Sequence, residues 1–516
     1  MHSEHTLGEY IEVLRAAGVL RASYVSEVTA ALPITCVSYD SRNITGAALF
    51  IVKGAHFKPA YLRDAIGAGA VAYVAEQAVP EETTPAILVT DIRQAIVTLG
   101  QLYYDHVTEK LTSVGITGTK GKTTTTYYLR EILRQWLTAQ AAAGKITAEA
   151  ARGPAILSSI KNYAGGIEEE SHLTTPEPLE LYAYFDQAYK AGIRHMVMEV
   201  SSQALKYGRV AGMRFAVGAF TNISSDHISP IEHNDFEDYY RAKLHIFDYC
   251  DVVAVNTDAD LAARTLAYGL ERTRIITYGS HESAAVYCPP SSLAPRKAGG
   301  YEFAVRSEAY GETRFEIAMP GQFNVSNALC AIAICGELGV PEHYVRAGLA
   351  AAKVPGRMEV FSSKDGEVTV IVDYAHNKLS YEAVFSSTKS QYPDAEIIAI
   401  FGSAGNKALE RRIDLPQVAS KYASHIFITE DDSYDEPFAN IAADLAANTS
   451  APYTVEESRA DCLKRAIFDW HKPRVILALG KGAETTHARH GVYVDTVNDA
   501  AMARQLIAQY DAAAQL

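Results

Sequence analysis

Between Leu111 and Leu133 the chain reads LTSVGITGTKGKTTTTYYLREIL, and no other stretch constrains the fold as tightly. A β-type run, Leu111 to Ile116, feeds the loop Thr117-Gly118-Thr119-Lys120-Gly121-Lys122-Thr123, and a helical pattern follows from Thr124 to about Trp136. Strand, glycine-containing loop, Lys-Thr and helix together are the architecture of a phosphate-binding P-loop. Gly118 and Gly121 let the backbone curl so that N–H groups face phosphate oxygens. The helix start adds free N–H groups and partial positive charge. Lys122 would neutralise phosphate charge, and the Thr123 hydroxyl would ligate Mg²⁺. The general pattern G-x-x-x-x-G-K-[ST] asks for Gly where this chain has Ile116.

A chain of 516 residues exceeds one hydrophobic core, so about three domains are expected. A formal net charge of −14 argues against nucleic acid or an anionic membrane as partner, though local basic loops can still hold an anionic substrate. Six scattered cysteines form no C-x-x-C pair and read as reduced, buried thiols of a cytoplasmic protein. The start, Met1-His2-Ser3-Glu4-His5, shows no signal peptide, and the chain has no apolar run of about 18 residues.

Taken in order, residues 1–108 read as a small α/β domain, in which Ser41-Arg42 and Lys53 are either a ligand-phosphate site or a solvated turn. Residues 109–353 alternate strands and helices behind the P-loop, which argues for a parallel sheet covered on both faces. Within them, 139–170 looks like a partly helical insertion without chemistry. Glu199 ends a buried strand, and Asp226-His227 follows another; ligands sit at that edge of parallel sheets, so these are candidates for metal or phosphate. Lys243, read alone, is a surface lysine. Residues 354–516 carry four strands with polar ends, a Rossmann-like sheet facing a ligand.

Several motifs in one order carry a resemblance: GITGTKGKTT at Gly115–Thr124, MEVSS at Met198–Ser202, YxxAK at Tyr239–Lys243, GxFNVxN at Gly321–Asn327, PGRME at Pro355–Glu359 and VDYAH at Val372–His376. The chain resembles the Mur ligase family over nearly its full length, most of all the branch that adds the third amino acid, and this family's loop shares the Ile116 departure. The resemblance implies three α/β domains: a uridine-nucleotide domain, a central P-loop ATPase domain and a C-terminal Rossmann-like domain. It implies an ATP-dependent amide ligase acting on UDP-MurNAc-L-Ala-D-Glu through an acyl phosphate, in peptidoglycan precursor synthesis, and a monomer.

Carried over residue by residue, Gly118, Thr119, Lys120, Gly121, Lys122, Thr123 and Thr124 would serve the ATP phosphates, with Asn324, Asn327, Arg357 and Asp373 on the nucleotide. Lys122, Glu199, His227 and Lys243 would be catalytic. Thr123, Glu199, His227 and a carbamylated Lys243 would hold Mg²⁺, which reverses the bland reading of Lys243. Ser41 would sit at the uridine nucleotide, with Thr174, Thr175, Ser201 and Arg209 along the muramoyl dipeptide. Three places depart from the family pattern: Gln203 and Ala483 stand where His is common, and Ile228-Ser229-Pro230-Ile231 replaces Leu-Asp.

Family members that add meso-diaminopimelate carry Asp-Asn-Pro-Arg, whose Arg grips the distal carboxylate. The matching place here, Glu430-Asp431-Asp432-Ser433-Tyr434-Asp435-Glu436-Pro437, has no Arg. An acidic loop suits a distal ammonium, so L-lysine or a similar diamine such as L-ornithine is expected, held by Asp431, Asp432 and Asp435 with Gly480 and Glu484; the bland alternative is an acidic surface turn. The rival functions are a folylpolyglutamate synthetase-like ligase, which lacks a uridine-nucleotide domain, and a catalytically silent nucleotide-binding subunit. Intact Lys122, Glu199, His227 and Lys243 count against the last.

Overall fold

The computed structural model describes residues 4–513 except 55–56, 149, 226–227, 229–231, 297–298, 407–408, 471 and 491. The chain divides into two compact units, Met1–Val286 with Ile332–Tyr344, and Tyr287–Ala331 with Val345–Leu516.

The first unit begins with a five-stranded sheet in the order Leu20–Ser23, Ala86–Val89, Ala70–Ala75, Ala48–Ile51, Cys36–Ser38, parallel except for its first strand. Helix Leu7–Ala16 opens on a Thr6–Glu9 capping box and buries Leu7, Tyr10, Ile11 and Leu14, the i, i+3, i+4, i+7 stripe of an amphipathic helix. With helix Ile92–Tyr103 it covers one face of the sheet, and helix Pro59–Ala68 covers the other.

The second sheet of this unit runs Glu168–Glu170, Lys161–Tyr163, Ala155–Leu157, His195–Glu199, Thr112–Thr117, Val217–Phe220, Val252–Asn256, Arg274–Gly279. From Ala155–Leu157 onward the strands are parallel. The P-loop strand lies between two of them, and register pairs Glu199 with Ile116 and Phe220 with Thr117. Three chain exits therefore meet at one sheet edge. The expectation for 139–170 needs correction: the P-loop helix continues to Ala142, and Ala155–Leu157 joins the parallel sheet beside His195–Glu199. Its Ala-Ile-Leu run is short and buried, and a three-residue strand gives too little periodicity to register in sequence.

In the second unit, a hairpin pairs Tyr301–Ser307 with Gly311–Ile317. Beyond it a six-stranded sheet runs Glu359–Ser362, Val368–Asp373, Arg474–Leu479, Glu396–Phe401, His425–Ile428, Tyr453–Val455, parallel after its first strand. Helices Arg459–Phe468 and Asp499–Ala513 pack on one face. A buried Arg459–Asp499 pair ties their first turns together. A small hairpin, Thr486–Arg489 with Val492–Asp495, follows the last parallel strand. All six cysteines are buried. Among the described residues no helix is long and apolar enough to cross a membrane.

Candidate active site

The phosphate loop is closed by the segment that leaves its neighbouring strand. Gly118 has φ 145°, and a Cβ there would lie 1.9 Å from Thr221 Oγ1. Only glycine fits. Thr221 Oγ1 donates to Lys120 O at 2.7 Å, and Lys120 N donates to Asn222 Oδ1 at 2.8 Å. Thr119 takes a hydrogen bond from Tyr239 Oη at 3.1 Å. Gly121, at φ 86°, stands where helix Lys122–Ala142 begins, with Thr123 and Thr124 buried in its first turn. Lys122 Nζ folds back over the loop, donating to Gly118 O at 3.0 Å and Thr119 O at 3.2 Å.

Glu199 lies 1% exposed at its strand end. Its Oε1 accepts from Ser159 N at 2.9 Å, while Ser159 Oγ lies 3.0 Å from Thr123 Oγ1. A line Thr123–Ser159–Glu199 thus joins the P-loop helix to the carboxylate. Lys243 is buried on helix Phe236–Leu244; its Nζ donates to Gly118 O at 2.9 Å and lies 4.7 Å from the centre of the Tyr239 ring. The predicted ligand His227 and its neighbour Asp226 lie outside the described residues, as do Ser229 to Ile231. Among the described residues no group of three or more His, Cys, Asp or Glu is placed to hold a metal. The oxygen donors of Thr123 and Glu199 are nonetheless the hard type that suits Mg²⁺.

The predicted substrate loop meets the same strand end. Thr175 Oγ1 donates to Glu199 O at 3.0 Å and accepts from Ser201 N at 2.9 Å. Ser201 caps the helix that holds Gln203, and Ser202 Oγ is 2.9 Å from Nε2 of the buried His233. Arg209 donates to Thr175 O at 3.1 Å and pairs with Glu177 at 2.7 Å. Lys53, from the first sheet's loop, pairs with the other oxygen of Glu177. Tyr39 Oη donates to Glu180 at 3.1 Å. Thr174 is half-buried beside them, and Ser41 opens a short turn capped by Asp40.

In the second unit, Asn324 Nδ2 donates to Pro320 O at 2.6 Å, and Asn327 Nδ2 to Asn324 Oδ1 at 3.0 Å. Asp373 takes backbone N–H bonds from Met358 and Ala375, both at 2.7 Å, which fixes the turn bearing Arg357. The Arg357 guanidinium lies 4.3 Å from the centre of the Tyr374 ring.

The acidic loop is built more fully than its sequence suggests. Gly480, at φ 104°, brings the chain so close that a Cβ would sit 2.8 Å from Asp431 Oδ2. Asp432 Oδ1 takes the Lys481 ammonium at 2.9 Å and Ala488 N at 2.9 Å, and Lys481 also pairs with Glu484 at 2.6 Å. Burial opposes the Lys481 charge, but Asp431, Glu484 and Asp432 outweigh it and raise its pKa. Burial pushes the Glu484 carboxyl up, against the pull of Lys481.

The stretch itself has no Arg, but two arginines reach it from elsewhere in the chain. Arg489 makes a two-pronged pair with Glu430, and Arg412 pairs with Glu436 at 2.6 Å. Asp435 stands exposed. Sequence reading also missed Ser159, Asn222, Lys481 and Arg489. Lys481 had a signal, since it lies inside the Gly480–Glu484 loop; Ser159 and Arg489 had none.

A parallel sheet with a P-loop at its edge, followed by a second parallel sheet, is the frame of a phosphate-binding α/β protein. The Mur ligase middle domain model matches residues 116–335, and the glutamate ligase domain model of the same family matches 356–482. The UDP-N-acetylmuramoyl-L-alanyl-D-glutamate--L-lysine ligase of Enterococcus faecalis is 35% identical over 92% of each chain. The UDP-N-acetylmuramyl-tripeptide synthetase of Latilactobacillus sakei is 34% identical over 93% of this chain and 94% of its own. The chain belongs to the Mur ligase family. A solved UDP-N-acetylmuramoyl-L-alanyl-D-glutamate--2,6-diaminopimelate ligase shares the fold at 22% identity, with a TM-score of 0.65 over 95% of this chain and 99% of its own. The folylpolyglutamate synthase of Mycobacterium tuberculosis shares it at 16% and 0.58, over 80% of this chain and 94% of its own.

Proposed function

We propose that this chain is an ATP-dependent ligase that joins L-lysine, or a similar diamine such as L-ornithine, to the D-glutamyl carboxylate of UDP-MurNAc-L-Ala-D-Glu. That reaction belongs to peptidoglycan precursor assembly, and we place it in the cytoplasm, carried out by a monomer of three domains (1–108, 109–353, 354–516). The observation that carries the reading is the line Thr123–Ser159–Glu199. It couples the phosphate loop to a buried carboxylate, and through Glu199 O and Thr175 to the loop assigned to the substrate.

In this reading the loop N–H groups and Lys122 hold the ATP phosphates. The D-glutamyl carboxylate, oriented by Arg209, Thr174, Thr175 and Ser201, attacks the γ-phosphorus, and ADP leaves. The amine of the incoming amino acid then attacks the acyl carbon, an amide forms, and inorganic phosphate departs. Both reacting partners are anionic, so repulsion is the barrier the site must lower. Thr123 and Glu199, with His227, would hold Mg²⁺, which supplies charge neutralisation during phosphoryl transfer. Lys243 would react with CO₂, losing a proton to give a carbamate; a cation on Gly118 O becomes an anion fit to orient that metal. Asn324, Asn327, Arg357 and Asp373 are assigned to the nucleotide, and Ser41 to the uridine end.

The relatives named L-lysine ligases support the amino acid, and so does the acidic loop. Asp431, Asp432 and Glu484 carry three negative charges against one from Lys481, which leaves room for an ammonium. The test is ADP release with UDP-MurNAc-L-Ala-D-Glu across a panel of amino acids. L-Lysine or L-ornithine should lead, and preference for meso-diaminopimelate would sink the assignment. Transfer of L-glutamate to a folate would instead favour the folylpolyglutamate synthetase-like reading.

A further inference from the structure

The acidic loop holds a cation that the chemistry above leaves without a task. Arg489 reaches the loop from the strand Thr486–Arg489, and its Nε donates to Glu430 Oε1 at 2.6 Å while Nη2 donates to Oε2. Glu430 directly precedes Asp431 and Asp432; its side chain is 4% exposed, whereas that of Arg489 is 46% exposed. The pair walls a cleft of about 480 Å³, which Glu456, Glu457, Arg459 and His487 also line. Arg459 is committed elsewhere, to Asp499 and to the carbonyls of Glu430 and Leu479. Arg489 is therefore the solvent-reachable guanidinium of the cleft. A guanidinium fork matches one carboxylate at a time in this geometry, and an internal carboxylate now fills it.

The strand does not depend on that ion pair for its place. Tyr434 N donates to Ala488 O at 2.9 Å, His490 N to Tyr434 O at 2.7 Å, and Ala488 N to Asp432 Oδ1 at 2.9 Å. With this backbone clip intact, the Glu430–Arg489 pair is free to serve selectivity.

We propose that Glu430 is a specificity-determining residue: by occupying Arg489 it withholds a guanidinium that could hold a second carboxylate at the far end of an incoming diamino acid. The inference rests on the reading of the acidic loop as the amino-acid site. A side chain ending in ammonium alone meets Asp431 and Asp432. A side chain that also ends in a carboxylate meets those two acids and an arginine already filled, and is rejected by repulsion as well as by the missing partner.

The full-length protein is assayed for ADP release with UDP-MurNAc-L-Ala-D-Glu and either L-lysine or meso-2,6-diaminopimelate as probe. In Glu430→Gln the ratio of kcat/KM for diaminopimelate over lysine should rise at least tenfold. The double variant Glu430→Gln, Glu457→Gln should raise it further, since Glu457 is the other carboxylate acting on Arg489. Adding Arg489→Met should return the ratio to its starting value. A ratio unmoved in both Gln variants while lysine is still used, or a rise that survives Arg489→Met, overturns the role of Glu430. If Glu430→Gln fails to fold, Glu430→Asp keeps the charge but withdraws it by one methylene; it must shift the ratio in the same direction, and no shift overturns the proposal. A wild type that takes diaminopimelate and refuses lysine overturns the reading of the site itself.

Discussion

Replacing Ser159 with Ala isolates the link between the phosphate loop and the buried carboxylate. The backbone bond from Ser159 N to Glu199 Oε1 at 2.9 Å survives the change, so Glu199 keeps its position. The hydroxyl contact to Thr123 Oγ1 at 3.0 Å is lost. The second hydroxyl contact, to Glu199 at 3.4 Å, sits at the long edge of hydrogen bonding and adds little. A neutral buried hydrogen bond is worth about 1 kcal/mol net, and a weak charged one brings the sum to about 1–2 kcal/mol. That corresponds to roughly a 5- to 30-fold loss. Because the group that loses its partner is the Thr123 hydroxyl, the loss should appear in the KM for ATP at limiting magnesium. The KM for the amino acid should hold. ADP release at several magnesium concentrations measures this, with a thermal melt run alongside. An ATP dependence identical to wild type would refute the reasoning, as would an equal loss in every kinetic constant with a lowered Tm.

Other perturbations test other parts of the site. Lys243→Ala should abolish ligation, with rescue by short-chain carboxylates and a bicarbonate dependence confined to the wild type; full activity without Lys243 refutes the carbamate. Gly118→Ala places a Cβ at 1.9 Å from Thr221 Oγ1 at a φ that disfavours any side chain, so ATP binding should be lost, and retained ATP affinity would contradict the loop geometry. Arg412 holds the Glu436 carboxyl down to about 2, a depressed pKa whose stabilisation is present above the ordinary carboxylate range, near 4.3, and is lost as pH falls towards 2. Glu436→Gln should therefore be less stable than wild type at pH 7, with the gap closing by about pH 2–3 in urea melts; a pH-independent gap refutes the pairing argument. Exchanging Lys53 for Met should raise the KM for UDP-MurNAc-L-Ala-D-Glu several-fold and leave that for ATP unchanged, because its pair with Glu177 steadies Arg209.

The parallel sheets were legible because buried parallel strands are continuous apolar runs: Val252–Asn256 shows nothing else until its last residue, and His195–Glu199 nothing else between its two ends. The P-loop was legible because its glycines are obligatory, and the φ values of Gly118 and Gly121 show why. Charge balance was not. Read as a string, residues 430–437 are acidic and contain no arginine. In the fold, two arginines arrive from elsewhere in the chain, Arg412 from the helix Arg411–Ala419 and Arg489 from the hairpin, while Lys481 comes from the loop after the last parallel strand. Sequence shows how many charges a loop carries but not which are already paired, since pairing is decided by contacts 24 to 59 residues apart. The same holds for Ser159, whose role comes from a three-residue strand that docks beside Glu199. The charge this loop presents therefore turns less on its eight letters than on which counter-charges the rest of the chain brings to its carboxylates. Asp431 faces Gly480 and Asp432 shares Lys481 with Glu484, whereas Glu430 and Glu436 are held by their own arginines.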